Sequence, residues 1–321
     1  MYTKRLFIVV LITYAVASAT GFLFDKRYKK RFQLPFFDKM DVILSHKQDY
    51  DVLFLGNSRT HFGINPYYID SITGLQSYNL GQGGSDAEEM LLYSTLYLSN
   101  HKAPKFTILN LDGSTVLKHD RLKDRYWNLF LLNNDTINAY MKKAGFNTTI
   151  IRYLPFLKYS FFDEYSRSSI FLNEPSVPRF DHNIYKGFAN IYKELREDTI
   201  HWQKINEFNP SAKNEDEEKI SDTAVNNLKK IAGMFIKKGS RVIIVYPPGI
   251  KSTDSKRINY MQSVDSIYTN ISSALNIPVY DANKLYVFPE KYFSDISHLN
   301  EPGTKIFSKM IGQYLDSMNK R

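Results

Sequence analysis

Three short, largely apolar runs limit what this chain can fold into. Asp51–Leu55 (DVLFL) ends at Gly56, Lys105–Leu111 (KFTILNL) is followed by Asp112-Gly113, and Arg241–Tyr246 (RVIIVY) is closed by Pro247-Pro248. A strand with one wet face alternates apolar and polar residues, whereas a strand buried on both faces reads as an apolar run. Weaker strands are predicted at Gln76–Leu80 and Ile277–Tyr280. Helical patterns fall between them, at Glu88–Leu98, Asp222–Lys238, Ser255–Leu275 and Pro302–Met318. The last of these has Asn300 as a candidate cap and Pro302 in its first turn. Strands alternating with helices give an α/β protein with a parallel sheet covered on both faces.

The alternation breaks between residues 115 and 221, a stretch rich in Tyr, Phe, Asn and charge that is too long for a simple crossover. It is expected to form a helical insertion, with 209–219 as an exposed loop. The aromatic pattern Tyr153–Tyr165 within it reads first as core packing, then as a membrane or partner surface, then as a carbohydrate platform.

The N-terminus carries a different signal. Lys4 and Arg5 precede an uncharged run from Leu6 to Phe24, and Asp25 opens a basic segment through Arg31. That length suits a helix crossing a hydrocarbon core. A cleaved signal peptide is the competing reading, with Ala17-Ser18-Ala19 as its processing site. The anchor is preferred because the apolar stretch continues through Phe22, Leu23 and Phe24. The domains are therefore read as 1–40, anchor and juxtamembrane segment, and 41–321, the main domain with its insertion at about 115–221. Basic residues after the helix would hold that domain in the cytoplasm, although long domains translocate despite flanking charge.

The net charge of +9 would suggest nucleic acid or an anionic membrane as partner. Residues 1–40 carry eight basic and two acidic side chains, and Lys320 and Arg321 end the chain, so the body is close to neutral. Nucleic acid is excluded as the explanation, and a basic collar beside anionic headgroups replaces it. The chain has no cysteine, which removes disulfides, thiolate metal sites and Cys nucleophiles. The other histidines, His46, His61, His101, His119, His182 and His201, form no H-x-x-x-H pair, and no G-K-[ST] follows Gly81-Gln82-Gly83-Gly84. No cofactor or metal is expected. His61 is read as structural or solvent-facing in preference to lining a cleft.

Two local patterns carry chemistry. Ser58 follows the first strand directly, at the carboxyl edge where open α/β sheets bind ligands. Asp295 and His298 lie three residues apart just before the last helix, so the carboxylate can hold one ring nitrogen while the other acts as base. Each pattern alone is weak.

Together they resemble the SGNH/GDSL hydrolase superfamily. Gly56-Asn57-Ser58 looks like its first block, and Asp295-Ile296-Ser297-His298-Leu299-Asn300 with Gly303 like its last. Tyr78-Asn79-Leu80-Gly81-Gln82-Gly83-Gly84 is similar to the second. The resemblance covers 50–112 and 222–319 and leaves out the insertion. It implies a three-layer α/β/α flavodoxin-like sheet of mostly parallel strands, with Ser58 as nucleophile, His298 as base and Asp295 as its orienting acid. The backbone N–H groups of Ser58 and Gly84, or Gly83 in its place, would stabilise the oxyanion. One departure matters: Asp112 stands where the family places an Asn donor, and a carboxylate cannot donate. The resemblance then implies that fewer donors suffice, that Arg59 or Asn110 contributes, or that catalysis is weak.

The anchor and the GNSR form of the first block narrow the resemblance to membrane-anchored SGNH-like proteins that work beside membrane-bound O-acyltransferases. This implies a single-pass protein of the cell membrane with an extracytoplasmic domain. Its substrate would be an acylated glycan or other acyl ester, taken by hydrolysis or transfer. The alternative is a catalytically weak anchored binding partner in a polysaccharide or cell-wall modification complex.

Overall fold

Five parallel strands form one sheet, in the spatial order β2-β1-β3-β6-β7. The computed structural model describes residues 2–32, 35–46, 48–117, 126–154, 156–161, 181–190, 220–250 and 255–320. In chain order the strands are β1 (Val52–Gly56), β2 (Ser77–Asn79), β3 (Phe106–Asn110), β4 (Asp181–Tyr185), β5 (Phe188–Asn190), β6 (Arg241–Tyr246) and β7 (Val279–Asp281). The helices are α1 (Tyr2–Phe32), α2 (Pro35–Leu44), α3 (Ser58–Gly63), α4 (Pro66–Thr73), α5 (Ala87–Asn100), α6 (Asp135–Lys143), α7 (Thr148–Tyr153), α8 (Asp222–Lys237), α9 (Ser255–Leu275), α10 (Ala282–Leu285) and α11 (Glu301–Asn319).

The sheet order is that of flavodoxin-like proteins, whose ligands bind beyond the carboxyl ends of the strands where the winding reverses. Here that point lies between β1 and β3. Successive strand residues face opposite sides. Val52 and Phe54, Phe106 and Ile108, Ile243 and Val245 share one buried cluster with Ile69 of α4 and Phe307, Ile311 and Leu315 of α11. On the other face α8 packs on β6 and against α5. The result is a three-layer α/β/α arrangement.

The main helices start where their sequence caps fall. Asp86 accepts from the N–H groups of Glu88 and Glu89 at the start of α5. Ser221 accepts from Ala224 N at α8, and Asn300 from Gly303 N at α11, with Pro302 in the first turn.

The insertion is not purely helical. Its described parts contain α6, α7 and 3-10 turns, but also the antiparallel hairpin β4-β5. The expectation of a helical insertion is corrected to that extent. The two-residue loop Lys186-Gly187 has φ of 47° and 82°, the left-handed geometry that tight hairpins require. The carbonyl of Lys186 accepts from Asn79 N at 2.9 Å, which ties the hairpin to the end of β2. The 209–219 loop and the end of the Tyr153–Tyr165 pattern lie outside the described residues.

The chain divides into two compact units, Met1–Phe37 with Asp120–Pro178, and Asp38–His119 with Arg179–Arg321. The second holds the sheet, and it takes Asp38–Met40, which the sequence grouped with the anchor. Within the first, one N-terminal helix, Tyr2–Arg27, is long and apolar enough to cross a membrane. Tyr159 is its buried centre, with Phe24, Tyr126, Trp127, Phe130 and Phe156 packed around it. Asp25 of α1 accepts from Tyr159 Oη at 2.7 Å and from Lys158.

Phe307 is fully buried at the contact of α11 with the sheet. Phe307→Ala is expected to cost about 3–5 kcal/mol of stability, read as a lowered midpoint in chemical denaturation with an unchanged slope.

Candidate active site

The strand-to-helix turn after β1 is one residue long. Gly56 ends the strand, Asn57 is the N-cap, and Ser58 opens α3. A Cβ at Gly56 would stand 1.9 Å from Thr60 Oγ1 and 2.6 Å from the Asn110 carbonyl, so only glycine lets the helix fold back this tightly. Asn57 Oδ1 accepts from Arg59 N at 3.0 Å. At the first helical position the Ser58 N–H has no intrahelical acceptor.

The Asp295–His298 loop is pinned at its base. Phe293 and Leu299 are buried and bridge each other, and Ser294 N donates to the His298 carbonyl at 2.8 Å. Asn300 closes the loop by donating from Nδ2 to the Lys291 carbonyl at 2.7 Å. Asp295 Oδ1 accepts from the backbone N–H of Ser297 and of His298, both at 2.8 Å.

The structure brings Ser58, His298 and Asp295 together. His298 Nε2 lies 2.8 Å from Ser58 Oγ, and Nδ1 lies 2.8 Å from Asp295 Oδ2 and 3.0 Å from Oδ1. Burial alone would raise the Asp295 pKa. The hydrogen bond and charge of His298, with two backbone N–H groups, outweigh it and hold the carboxyl below its ordinary value. An ionised Asp295 only accepts, so Nδ1 carries a proton, and in the neutral imidazole Nε2 then presents its lone pair to the Ser58 hydroxyl. The Phe62 ring meets the imidazole edge-on at 5.7 Å.

The second glycine block forms the loop beside this turn. Gly81 N donates to Asn79 Oδ1 at 2.9 Å, and a Cβ there would stand 2.5 Å from Thr60 Cβ and 2.7 Å from His61 N. Gly83 and Gly84 form the turn closed by Ser85 N on the Gln82 carbonyl at 3.1 Å. Gly84 is exposed with φ 73°, a conformation that favours glycine.

Asp112 takes a role other than that of the donor it replaces. It is buried, and its carboxylate accepts from Asn57 Nδ2 at 3.0 and 3.1 Å, from Ser114 N at 3.0 Å, from Ser114 Oγ at 2.7 Å and from Thr115 Oγ1 at 3.2 Å. Arg59 Nη1 lies 3.5 Å from Oδ2. Burial would push this carboxyl up; the Arg59 charge and the Ser114, Asn57 and Thr115 bonds overcome it and hold it below the usual range. Neither replacement donor stands idle. Arg59 faces Asp112 and donates to the Pro248 carbonyl. Asn110 is buried, and its Nδ2 donates to Thr60 Oγ1 at 3.0 Å, which places it in the support beneath the turn.

Three supporting side chains escaped the sequence reading. Asn79 Nδ2 donates to the Thr60 and Ile64 carbonyls, both at 2.7 Å, and so closes the far end of α3. Asn57 reaches Asp112 as well as capping, and an Asn immediately before a helix start was the available signal. Lys39 of α2 is buried, donates to the Gly81 carbonyl, and is driven by burial well below the ordinary lysine value. His61 is buried and stacked on Phe62 at 4.4 Å. Burial first, then the Lys39 and His298 charges, push its pKa well down, in keeping with its structural reading. Among the described residues no group of three or more His, Cys, Asp or Glu is placed to hold a metal ion.

No family model matches this sequence, and no curated protein matches it. Solved structures similar to the chain include a GDSL-like lipase from Bacteroides thetaiotaomicron, at 14% identity over 92% of this chain and 99% of that one, TM-score 0.40. A lipase/acylhydrolase from Enterococcus faecalis is similar at 13% identity over 83% and 96%, TM-score 0.41. A carbohydrate acetylesterase family member from Sinorhizobium meliloti is similar at 10% identity over 84% and 98%, TM-score 0.39.

The Asp112 network predicts a pH dependence. A carboxyl whose native pKa is depressed adds stability that is fully present above its unfolded value of about 3.9 and is lost as pH falls through the native value. Asp112→Asn turns one acceptor into a donor facing Arg59 and Asn57. It is expected to lower stability at pH 7 by about 1–3 kcal/mol, and to flatten the fall in Tm below about pH 4. Thermal melts of both proteins across pH 2–7 check both.

Proposed function

We propose that this chain is an SGNH-type serine acyl esterase or O-acyltransferase, anchored in a membrane by α1, that acts on acylated glycan outside the cytoplasm. The observation that carries the chemistry is the continuous relay from Ser58 Oγ through His298 to Asp295, with both bonds at 2.8 Å. A serine after a parallel strand, a base on its hydroxyl and a carboxylate on the base make up the acyl-transfer constellation, which recurs on unrelated folds.

The steps follow from the protonation states. His298 Nε2 takes the Ser58 proton as Oγ attacks the acyl carbonyl, and Asp295 stabilises the imidazolium that forms. The tetrahedral oxyanion is met by the Ser58 N–H and the Gly84 N–H. Collapse breaks the acyl–oxygen bond, and His298 returns the proton to the departing sugar oxygen. Water or a second hydroxyl then gives up a proton to His298 and attacks the acyl-enzyme, and His298 passes that proton to Ser58 Oγ as the acyl–oxygen bond to it breaks. Hydrolysis and transfer use the same residues, and the acceptor decides between them.

The glycan, the anchor and the extracytoplasmic side rest on the family resemblance, the apolar N-terminal helix and the near-neutral body. A membrane-bound O-acyltransferase is the partner this reading implies. A second reading, an anchored binding partner with little turnover, is favoured by the Asp112 carboxylate alone, since one lost oxyanion donor costs about a hundredfold to a thousandfold in rate.

Hydrolysis of a small acetyl ester and release of acetate from acetylated glycans by the full chain test the proposal. Ser58→Ala is expected to lose about a thousandfold or more of both, with an unaltered melting curve. Equal turnover in wild type and variant would sink the enzyme reading.

A further inference from the structure

The unit that holds α1 and residues 120–178 has an apolar face that its own interior leaves unused. α7 buries Thr148 and Ile151, while Ile150, Tyr153 and the following Leu154 are 46%, 58% and 50% exposed. At about 100° per residue these three share one stripe; Arg152 leaves the helix away from it, but its long side chain returns so that the guanidinium lies 5.8 Å from the Tyr153 ring centroid. The exposed stripe is apolar with a cation at its edge, so it suits an apolar neighbour that leaves the Arg152 guanidinium a polar one.

The second observation fixes where the outer neighbour lies. Tyr14, in the middle of the uncharged run of α1, donates its hydroxyl to the Tyr153 carbonyl at 2.8 Å. That carbonyl is among the last of α7, which have no intrahelical partner. In water both groups are solvated without each other. In hydrocarbon each would be costly alone, and together they are satisfied. The chain then returns along α1: Phe156 packs edge-on against Phe24 at 5.4 Å, and Lys158 and Tyr159 bond Asp25. Its backbone is locally satisfied, with Leu154 N on the Ile150 carbonyl at 2.9 Å, Leu157 N on that of Leu154 at 3.3 Å, and Tyr159 N on that of Phe156 at 2.9 Å. Tyr14 and Asp25 are eleven residues apart, about 16 Å along a helix axis, or half of a hydrocarbon core of about 30 Å.

We infer that α7 and the turn after it, residues 150–154, dip into the same bilayer that α1 crosses. The insertion thereby gains a monotopic contact whose occupant is lipid hydrocarbon. This rests on reading α1 as a membrane anchor, and it goes beyond it: a single-pass protein would touch lipid through α1 alone.

The chain has no native cysteine, so single-cysteine variants can be spin-labelled cleanly. Val10→Cys on α1, Ile150→Cys, Leu154→Cys and Leu285→Cys on the sheet unit all replace exposed side chains. The full chain is placed in nanodiscs of phosphatidylcholine and phosphatidylglycerol. Each label is read for collision with oxygen, which concentrates in lipid, and with a water-soluble nickel chelate. The inference expects the Ile150 and Leu154 labels to shift toward oxygen as Val10 does, while Leu285 favours nickel. A Leu154 label that matches Leu285 while Val10 remains in lipid overturns the inference and leaves the anchor standing. A Val10 label exposed to nickel overturns both. A Leu154 label shielded from both reagents would mean that a second copy covers the face, and would also overturn it.

Discussion

A six-residue helix does not hold itself. Nucleation fixes several residues for each of the first hydrogen bonds, and isolated helices become stable only at about 12–15 residues. Yet α3 must hold Ser58 within hydrogen-bond reach of His298. Three asparagines supply the missing constraint, one at or just past the end of each of three neighbouring strands. Asn57 after β1 caps the start, Asn110 of β3 bonds Thr60 in the middle, and Asn79 of β2 takes the carbonyls of Thr60 and Ile64 at the far end. Parallel strands lie about 4.8 Å apart, so the order β2-β1-β3 sets these three side chains around one turn. The position of Ser58 is thus a property of the sheet, carried through amide groups.

Asp112 extends the same scaffold and changes its charge. A buried carboxylate is unfavourable unless it is neutralised, since the interior screens charge less well than water. Arg59, the residue next to Ser58, faces Asp112, and the Asn57 amide also points to it. The acid serves as an acceptor that ties the end of β3 to the Ser58 turn, with its charge balanced from within that turn. Tyr268 of α9 holds the carbonyl of the same residue at 2.7 Å, so the next layer of helix is coupled to the site as well.

What the sequence made legible follows from these same forces. β1, β3 and β6 stand out because both of their faces are buried, and α11 begins at its Asn300 cap. Ser58, Asp295 and His298 were reached by resemblance, and their spacing in the chain alone would not have joined them. The short helices α2, α3 and α4 offer too few turns for a periodic signal. The hairpin β4-β5 had a cue in Lys186-Gly187, but its flanking residues mix aromatic and polar types without alternation. Lys39 was illegible for a deeper reason. A lysine among Phe36, Phe37, Asp38 and Met40 reads as a solvated position, and only the approach of Gly81 makes it a buried donor. Asp112 was read for the bond it cannot make, whereas its acceptors' partners, Asn57 and Ser114, become visible only in three dimensions.

The insertion can be large because its cost to the sheet is small. Leu117 and Ile220 pair across an antiparallel bridge, which holds the two ends of the insertion together at the sheet unit. Loop-closure entropy grows only logarithmically with the length between such points. Residues 120–178 form a unit with the N-terminal helix, while the hairpin β4-β5 belongs to the sheet unit and bonds the end of β2. The basic excess lies in residues 1–40 and at the C-terminus, which leaves the body nearly neutral in net charge. On the anchored reading, a substrate and a protein held at one surface would meet at an effective concentration set by geometry instead of by charge.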